Sequence, residues 1–391
     1  MLHKVDVLII GSGPSGTSTA LHLLQQDPAW ANRIIVVDKA VHPREKLCGG
    51  GITHIGYNLL SDLGLQLEPR SVAIKEVRLV YQDKQYSFYA DPALTIVRRD
   101  EFDHWLVQEV EARGVTVRQG EAVKAITPHD EYVEVVTEKA TFQAKVVVGA
   151  DGSRSFVRQT LKWDDESRVA RLIEVLTPEN AQTQPEFCDK VAVFDFTPMT
   201  DGLQGYYWDF PSFVQGQAFM NRGLFDSRAR PERPKADLKG TLTQSLAERN
   251  RDLEDYQLKG HPIRWWDENG RFAINRVILV GDAAGADPLF GEGISFALAY
   301  GEAGAAAIVD AFARQDFSFA TYRDMLLDRW LFRHLSFRTK LARYAYSIES
   351  TRYVRAGWQV ANWLIKLTRW GRPGHNPTKA AQPAQQQLQT R

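Results

Sequence analysis

The order of elements in the first forty residues constrains this chain more than any other feature. Residues 5–10 form an unbroken apolar run, as expected of a parallel strand covered on both faces. The run leads into Gly11-Ser12-Gly13-Pro14-Ser15-Gly16 and a helical pattern that reaches about Gln26, with Ala20, Leu21, Leu23 and Leu24 on its apolar side. Residues 34–37 read as a second buried strand, ending at Asp38. Strand, glycine turn, helix, strand and acid together make a βαβ unit suited to a dinucleotide. Gly11 permits the tight turn, Gly13 admits a pyrophosphate to the backbone, and Gly16 lets helix and strand pack closely. The first helical turn begins at Pro14, which has no N–H to leave unpaired, and offers N–H groups from Ser15 onward to phosphate. Asp38 can accept from ribose hydroxyls and disfavours a 2′-phosphate; Lys39 adjoins it.

The far half of the chain decides which dinucleotide. A short apolar strand at 277–280 runs into Gly281-Asp282-Ala283-Ala284, then Pro288, Phe290 and Gly291-Glu292-Gly293-Ile294. An acid just past a strand end can hold a ribityl hydroxyl, and a glycine-rich turn opening a helix places N–H groups near a flavin ring or its phosphates. NAD has no ribityl chain and does not require this second site, so the expectation is FAD. Between the two ends lie Arg99-x-x-Phe102-Asp103 and Asp151-Gly152-Ser153-Arg154.

Other segments follow their periodicity. Helices are expected over 52–63, 100–113 (capped by Asp100), 235–249 and 293–312. A hairpin turns at 83–84, between strands at 72–81 and 85–89. Strands are expected at 115–117, 133–136 and 146–148, and longer β segments between 168 and 225. The fold class is α/β: an interrupted Rossmann-like FAD-binding domain with an inserted antiparallel β-sheet substrate domain and a helical C-terminal region. The expected boundaries are 1–165 and 270–315 for the FAD-binding domain (with a strand excursion at 72–98), 166–269 for the substrate domain and 316–370 for the C-terminal helices. A Pro/Gln/Ala-rich disordered tail is expected at 371–391.

The early GxGxxG, the Asp-Gly motif and the late Gly-Asp motif, in this order, resemble the p-hydroxybenzoate hydroxylase-type flavoprotein superfamily over roughly residues 4–315. The resemblance implies FAD, with Asp282 at the ribityl chain, Arg99 near the cofactor and backbone contacts from Val123 on the adenine side. Pro43-Arg44-Glu45-Lys46-Leu47-Cys48-Gly49-Gly50-Gly51 is similar to a segment of the geranylgeranyl reductase family within that superfamily. Its three glycines would let the backbone lie against the flavin without side-chain obstruction. Arg44, Cys48, Gly49 and Gly50 are then cofactor contacts, and Gly50 and Gly51 also face substrate. Tyr206-x-Trp208-x-Phe210-Pro211 resembles that family's prenyl-cavity motif. On a strand, 206, 208 and 210 point to one face, which gives an apolar aromatic wall. Pro288 and Phe290 complete the expected substrate site. One departure stands out: where the family continues with a Gly-x-Gly strand, this chain has only Gly223.

The implied activity is FAD-dependent saturation of C=C bonds in an isoprenoid or similar lipid-like substrate, with Cys48, Tyr206 and Trp208 as catalytic residues. No second GxGxxG is present, so NAD(P)H would bind transiently or reduced ferredoxin would supply electrons. The rival reading is an FAD monooxygenase or halogenase acting on an aromatic. Halogenases carry Trp-x-Trp-x-Ile-Pro at a similar place, whereas Tyr206 and Phe210 stand here. A non-catalytic flavin-binding interaction protein is the third.

Composition bears on partners. The 48 basic and 48 acidic side chains cancel, which argues against nucleic acid, but the balance is uneven. Residues 323–372 carry a net +8 and residues 1–322 a net −10. With Trp358, Trp363 and Trp370 among the cations, this basic end suits an anionic membrane surface or an acidic redox partner. The two cysteines, Cys48 and Cys188, and nine scattered histidines give no metal motif. The N-terminus runs straight into a strand with no signal-peptide pattern, and no apolar run in the sequence approaches the roughly 20 residues that span a bilayer. The expected location is cytoplasmic, peripheral to a membrane.

Overall fold

A computed structural model describes residues 2–163, 168–348 and 350–367, so Trp370 and the expected tail lie outside the described residues. Two eight-stranded sheets form the body. The first runs in the order Ala273–Ile274, Val277–Leu279, Thr141–Gly149, Leu2–Ile10, Ile34–Val37, Thr116–Arg118, with the Val123–Pro128/Val133–Thr137 hairpin attached to Thr141–Gly149. Its central pairs are parallel. Val7–Ile9, Val146–Val148 and Val277–Leu279 are wholly buried, which is why their sequences are apolar without alternation. Helices Pro14–Gln26 and Ile294–Arg314 pack together beside this sheet. Gly301 lets them approach: a Cβ there would stand 2.3 Å from Ser18 Oγ, which donates to the Leu298 carbonyl instead. Contrary to expectation, Ile294–Arg314 is long and apolar enough to cross a membrane, yet it is mostly buried in this core.

The second sheet runs Lys259–Arg264, Val169–Pro178, Gln217–Asp226, Gly205–Val214, Val191–Asp195, Ser71–Tyr81, Lys84–Val97, Gly51–Thr53. It is antiparallel except where Val191–Asp195 pairs with Ser71–Tyr81. The 72–98 strands, expected as an excursion of the flavin half, therefore belong to this sheet. Their period-2 pattern marks them as strands but carries no information about which sheet they join. Helix Leu238–Ala247 covers the outer face through Leu242 and Leu246, packed against Tyr207 and Leu224. The inner face carries Tyr206, Trp208, Phe210 and Phe225.

One expected cap is corrected. The third long helix spans Arg99–Ala112 with Arg98 at its N-cap, so Asp100 sits in the first turn. Its charge still suits the positive end of the helix.

The C-terminal region forms helices Tyr322–Asp328, Trp330–Ala345 and Thr351–Leu367. It is tied to the body rather than free. Trp266 Nε1 donates to Ser336 Oγ at 2.9 Å, and Tyr346 donates to the Leu289 carbonyl at 2.6 Å.

Candidate active site

A cavity of about 730 Å³ lies between the two sheets. Its polar end is the glycine turn. Gly11 adopts φ +109°, with its amide donating to the Val37 carbonyl at 2.8 Å. Asp38 is buried and braces the turn: Oδ2 accepts from Ser12 N and Ser12 Oγ, each at 2.7 Å, and Oδ1 accepts from Ala40 N at 2.8 Å. Lone pairs on Oδ1 remain for a ribose. Arg44 stands over Gly13, and a Cβ on that glycine would lie 3.5 Å from its Nη2.

Arg99 is buried. It binds buried Asp103 through Nε and Nη2 at 2.7 and 2.9 Å, and Arg44 adds a third contact at 3.0 Å. Burial would raise the Asp103 carboxyl, but the two guanidinium groups hold it below its ordinary value. Nη1 of Arg44 is buried with no hydrogen-bond partner. A cationic nitrogen left unpaired at the mouth of a glycine-turn helix is what a pyrophosphate would satisfy, so these residues fit a dinucleotide.

The expected contacts Gly11, Gly13, Pro14, Ser15, Asp38, Lys39, Arg44, Cys48, Gly49, Gly50, Arg99, Val123, Asp151, Gly152, Asp282, Gly291, Gly293 and Ile294 all line this one cavity. Gly16 and Gly281 do not; they are packing positions. A Cβ on Gly16 would lie 1.9 Å from the Gly11 oxygen, and one on Gly281 2.4 Å from Ser15 Oγ. Asp151 Oδ2 accepts from Val157 N at 3.0 Å, so it also shapes its own turn.

The other end of the cavity is apolar, lined by Val77, Leu79, Phe88, Phe194, Phe210 and Phe290 among others. Tyr206 packs 5.1 Å from Phe194, 5.3 Å from Phe196 and 5.5 Å from Phe225. Of the expected substrate residues, Gly50, Gly51, Tyr206, Trp208, Phe210 and Phe290 line the cavity, whereas Pro211 and Pro288 do not. Pro211 follows Phe210 and points to the opposite face of the strand. The Pro288 carbonyl accepts from Ser227 Oγ at 2.6 Å. The polar atoms of Tyr206 and Trp208 are already engaged. Tyr206 donates to the Phe290 carbonyl, and Trp208 Nε1 donates to Asn221 Oδ1 at 2.9 Å. Their rings, rather than their protons, face the cavity. The lone Gly223 has a clear reason: a Cβ there would stand 2.4 Å from the Trp208 ring.

The Cys48-Gly49-Gly50 stretch lies at the junction of the two ends. A Cβ on Gly49 would stand 2.8 Å from the Phe210 ring, and the half-buried Cys48 Sγ accepts from Gly50 N at 3.3 Å.

Sequence reasoning missed two groups here. His261 Nε2 lies 2.6 Å from Lys46 Nζ, and burial followed by the Lys46 charge pushes the imidazole down to about 3. Arg338 reaches in from the C-terminal helices to Asp287 at 2.9 Å and Glu292 at 2.6 Å, pinning the loop that carries Gly291 and Gly293. Neither has a local signal, because each partner lies tens of residues away.

A family profile described as FAD binding domain matches residues 4–298. The chain belongs to the FAD binding domain family. Proteins similar to it include the menaquinone reductase of Mycobacterium tuberculosis, 26% identical over 79% of this chain and 77% of the relative. Digeranylgeranylglycerophospholipid reductase 3 of Methanosphaera stadtmanae is 24% identical over 87% of each. Among solved structures, a geranylgeranyl bacteriochlorophyll reductase-like protein from Thermoplasma acidophilum superposes with TM-score 0.69 at 18% identity, covering 90% of this chain and 92% of its own. The p-nitrophenol 4-monooxygenase PnpA of Pseudomonas putida gives 0.70 at 18%, covering 99% and 98%. The family places this protein among FAD-dependent oxidoreductases, and the fold it shares serves both reductases and oxygenases.

Proposed function

We propose that this FAD-family protein is a reductase that saturates C=C bonds of an isoprenoid or similar lipid-like substrate. The observation that carries the reading is the Cys48–Gly50 loop, laid directly against the Trp208–Phe210 wall with nothing larger than hydrogen on Gly49. A flat cofactor in the polar end and a long apolar chain in the other would meet at that loop. Bound FAD supplies reducing equivalents as hydride; NAD(P)H or reduced ferredoxin is the proposed source. The protein's part is to exclude water with the Phe194, Tyr206, Phe210 and Phe290 rings, whose faces also favour positive charge developing on an alkene carbon. Cys48 holds a transferable proton at the junction. Tyr206 takes no such role, since its proton is committed to the Phe290 carbonyl.

The test is photoreduction of the holoprotein without oxygen, then addition of geranylgeranyl compounds. Flavin reoxidation with product saturation is expected, slowed at least about 100-fold in Cys48→Ser, the low end for loss of a general acid. Reoxidation by none of them, alongside product from oxygen plus an aromatic, would establish the monooxygenase or halogenase reading instead. Tight flavin with neither reaction would leave a binding protein.

A greasy substrate must be collected somewhere, and we propose an anionic membrane surface. Part of the basic excess is committed internally: Arg338 as described, Lys340 to Glu268 at 2.9 Å and Arg355 to Asp83 at 3.0 Å. The block continues into an amphipathic helix, Thr351–Leu367, which carries Arg352 and Lys366 besides the tethered Arg355. Its inner edge seats Trp358 on Phe196, ring centroids 4.7 Å apart, next to the apolar end of the cavity. Its outer side exposes Tyr353, Val360, Trp363 and Leu364. Interfacial helices bind through such faces. Wild-type protein is expected to float with anionic liposomes and the Trp363→Glu/Leu364→Glu variant to stay behind; equal flotation would return the helix to a packing role.

A further inference from the structure

Glu174 is a buried carboxyl on the cavity-facing side of the second sheet, at a place no motif marks. It stands in register with Gly223, and Gly223 with Trp208, so the three occupy one row across the strands. The residue is 5% exposed, and Oε2 has no hydrogen-bond partner. The Cys48 amide and the Asn221 side chain lie against the carboxyl. Asn221 holds the other side of the same residue: its Nδ2 donates to the Cys48 carbonyl at 3.0 Å while its Oδ1 is fixed by Trp208.

We infer that Glu174 is a positioning residue for Cys48: with Asn221 it grips both polar backbone atoms of that cysteine and fixes where the thiol stands between the cofactor and the apolar end of the cavity.

The physical need is clear from the loop itself. Three glycines follow Cys48, and Gly50 adopts φ +82°, so the segment has almost no side chains with which to brace itself. Backbone N–H and C=O groups that leave water must find partners, and for Cys48 those partners come from the sheet. A carboxylate at this depth without a paired cation is costly, which favours the neutral form of the acid. Burial pushes it up to about 7, against the opposing pull of Arg98, which is itself directed toward Asp100 at 3.5 Å. Glu45, the other charge acting on it, is paired with Lys259. The inference rests on the proposed meeting of cofactor and substrate at the Cys48 loop, not on the identity of the substrate.

Thiol chemistry tests it without turnover. Cys188 is exposed and is first replaced, so that a Cys188→Ser holoprotein presents Cys48 alone. Its alkylation by iodoacetamide is followed between about pH 6 and pH 9, a reaction that reports thiolate and access. Glu174→Gln should keep its flavin and alter the alkylation rate at least about fivefold, within the coupling range of touching residues. The wild-type profile should carry an extra inflection near pH 7 that the Gln variant lacks. Asn221→Ala should shift the rate as well, and the double variant should add little to the larger single effect. Wild-type rates, pH profile and visible flavin dichroism in Glu174→Gln would overturn the inference. Should that variant fail to fold, an unchanged thiol rate in Asn221→Ala would overturn it alone. A protein inert toward polyprenyl compounds that still shows the Glu174 effect loses the substrate reading and keeps this one; normal alkene reduction with unchanged thiol chemistry does the reverse.

Discussion

Arg338→Ala is expected to lower the free energy of unfolding by about 3–5 kcal/mol, the penalty for breaking a buried ion pair by removing one partner, and to strip the flavin. Asp287 is fully buried and Glu292 nearly so, and one guanidinium nitrogen serves both. Without it, two neighbouring carboxylates repel in a poorly hydrated place, directly beneath the loop that carries Gly291 and Gly293. The two carboxyls shift in opposite directions: burial leaves Asp287 above the usual aspartate range despite the same guanidinium, so the loss of stability toward acid belongs to Glu292. Burial alone would raise the Glu292 carboxyl, but the Arg338 charge holds it below the usual glutamate range. Its contribution to stability is therefore present above that range and lost as pH falls through the depressed value. In the variant the carboxylates gain by protonation, so the gap between the two proteins should narrow toward acid. Urea midpoints at several pH values, with flavin absorbance per chain after gel filtration, measure both effects. Equal midpoints and equal flavin content would show that the C-terminal helices do not support the site.

Gly16→Ala is the second large effect. The added methyl would stand 1.9 Å from the Gly11 oxygen and 3.2 Å from Ala150 Cβ. The obstruction is backbone, and Gly11 is itself tied to Val37, so nothing cheap can move. Helix and turn must separate, which withdraws the N–H groups that face the pyrophosphate. A rise in the FAD dissociation constant of at least about 100-fold, equivalent to about 2.7 kcal/mol, is expected. Gly357→Ala is the matched control: nothing lies within 4 Å of its Cβ, and it should gain the roughly 1 kcal/mol by which alanine exceeds glycine in a helix. Flavin titration of both variants decides. Wild-type affinity in Gly16→Ala would mean that the turn has slack the packing does not show.

The centre of the first sheet was legible because Val7–Ile9, Val146–Val148 and Val277–Leu279 are buried on both faces and therefore apolar without alternation, and because glycines at 11, 13 and 16 have few other uses at that spacing. The late Gly281–Ile294 segment was legible for a similar reason. Membership of the second sheet was not: alternation over 71–97 identifies strands, and only tertiary pairing says that they lie beside 191–195. The aromatic wall could be read from one strand, but its polar fastenings could not. Phe290 lies 84 residues from Tyr206, and Glu174 looks like an ordinary outward acid in a strand until its parity with the cavity-lining Leu172 is noticed. The basic C-terminal block was visible as charge, yet its most consequential member, Arg338, acts as a tether inside the cofactor site.

That tether has a bearing on synthesis. The glycine turn leaves the ribosome first, but Asp287 and Glu292 have no counter-ion until residue 338 has emerged. The polar end of the cavity is therefore closed by both halves of the chain, with Arg338 on the Trp330–Ala345 helix as its last charged piece in sequence.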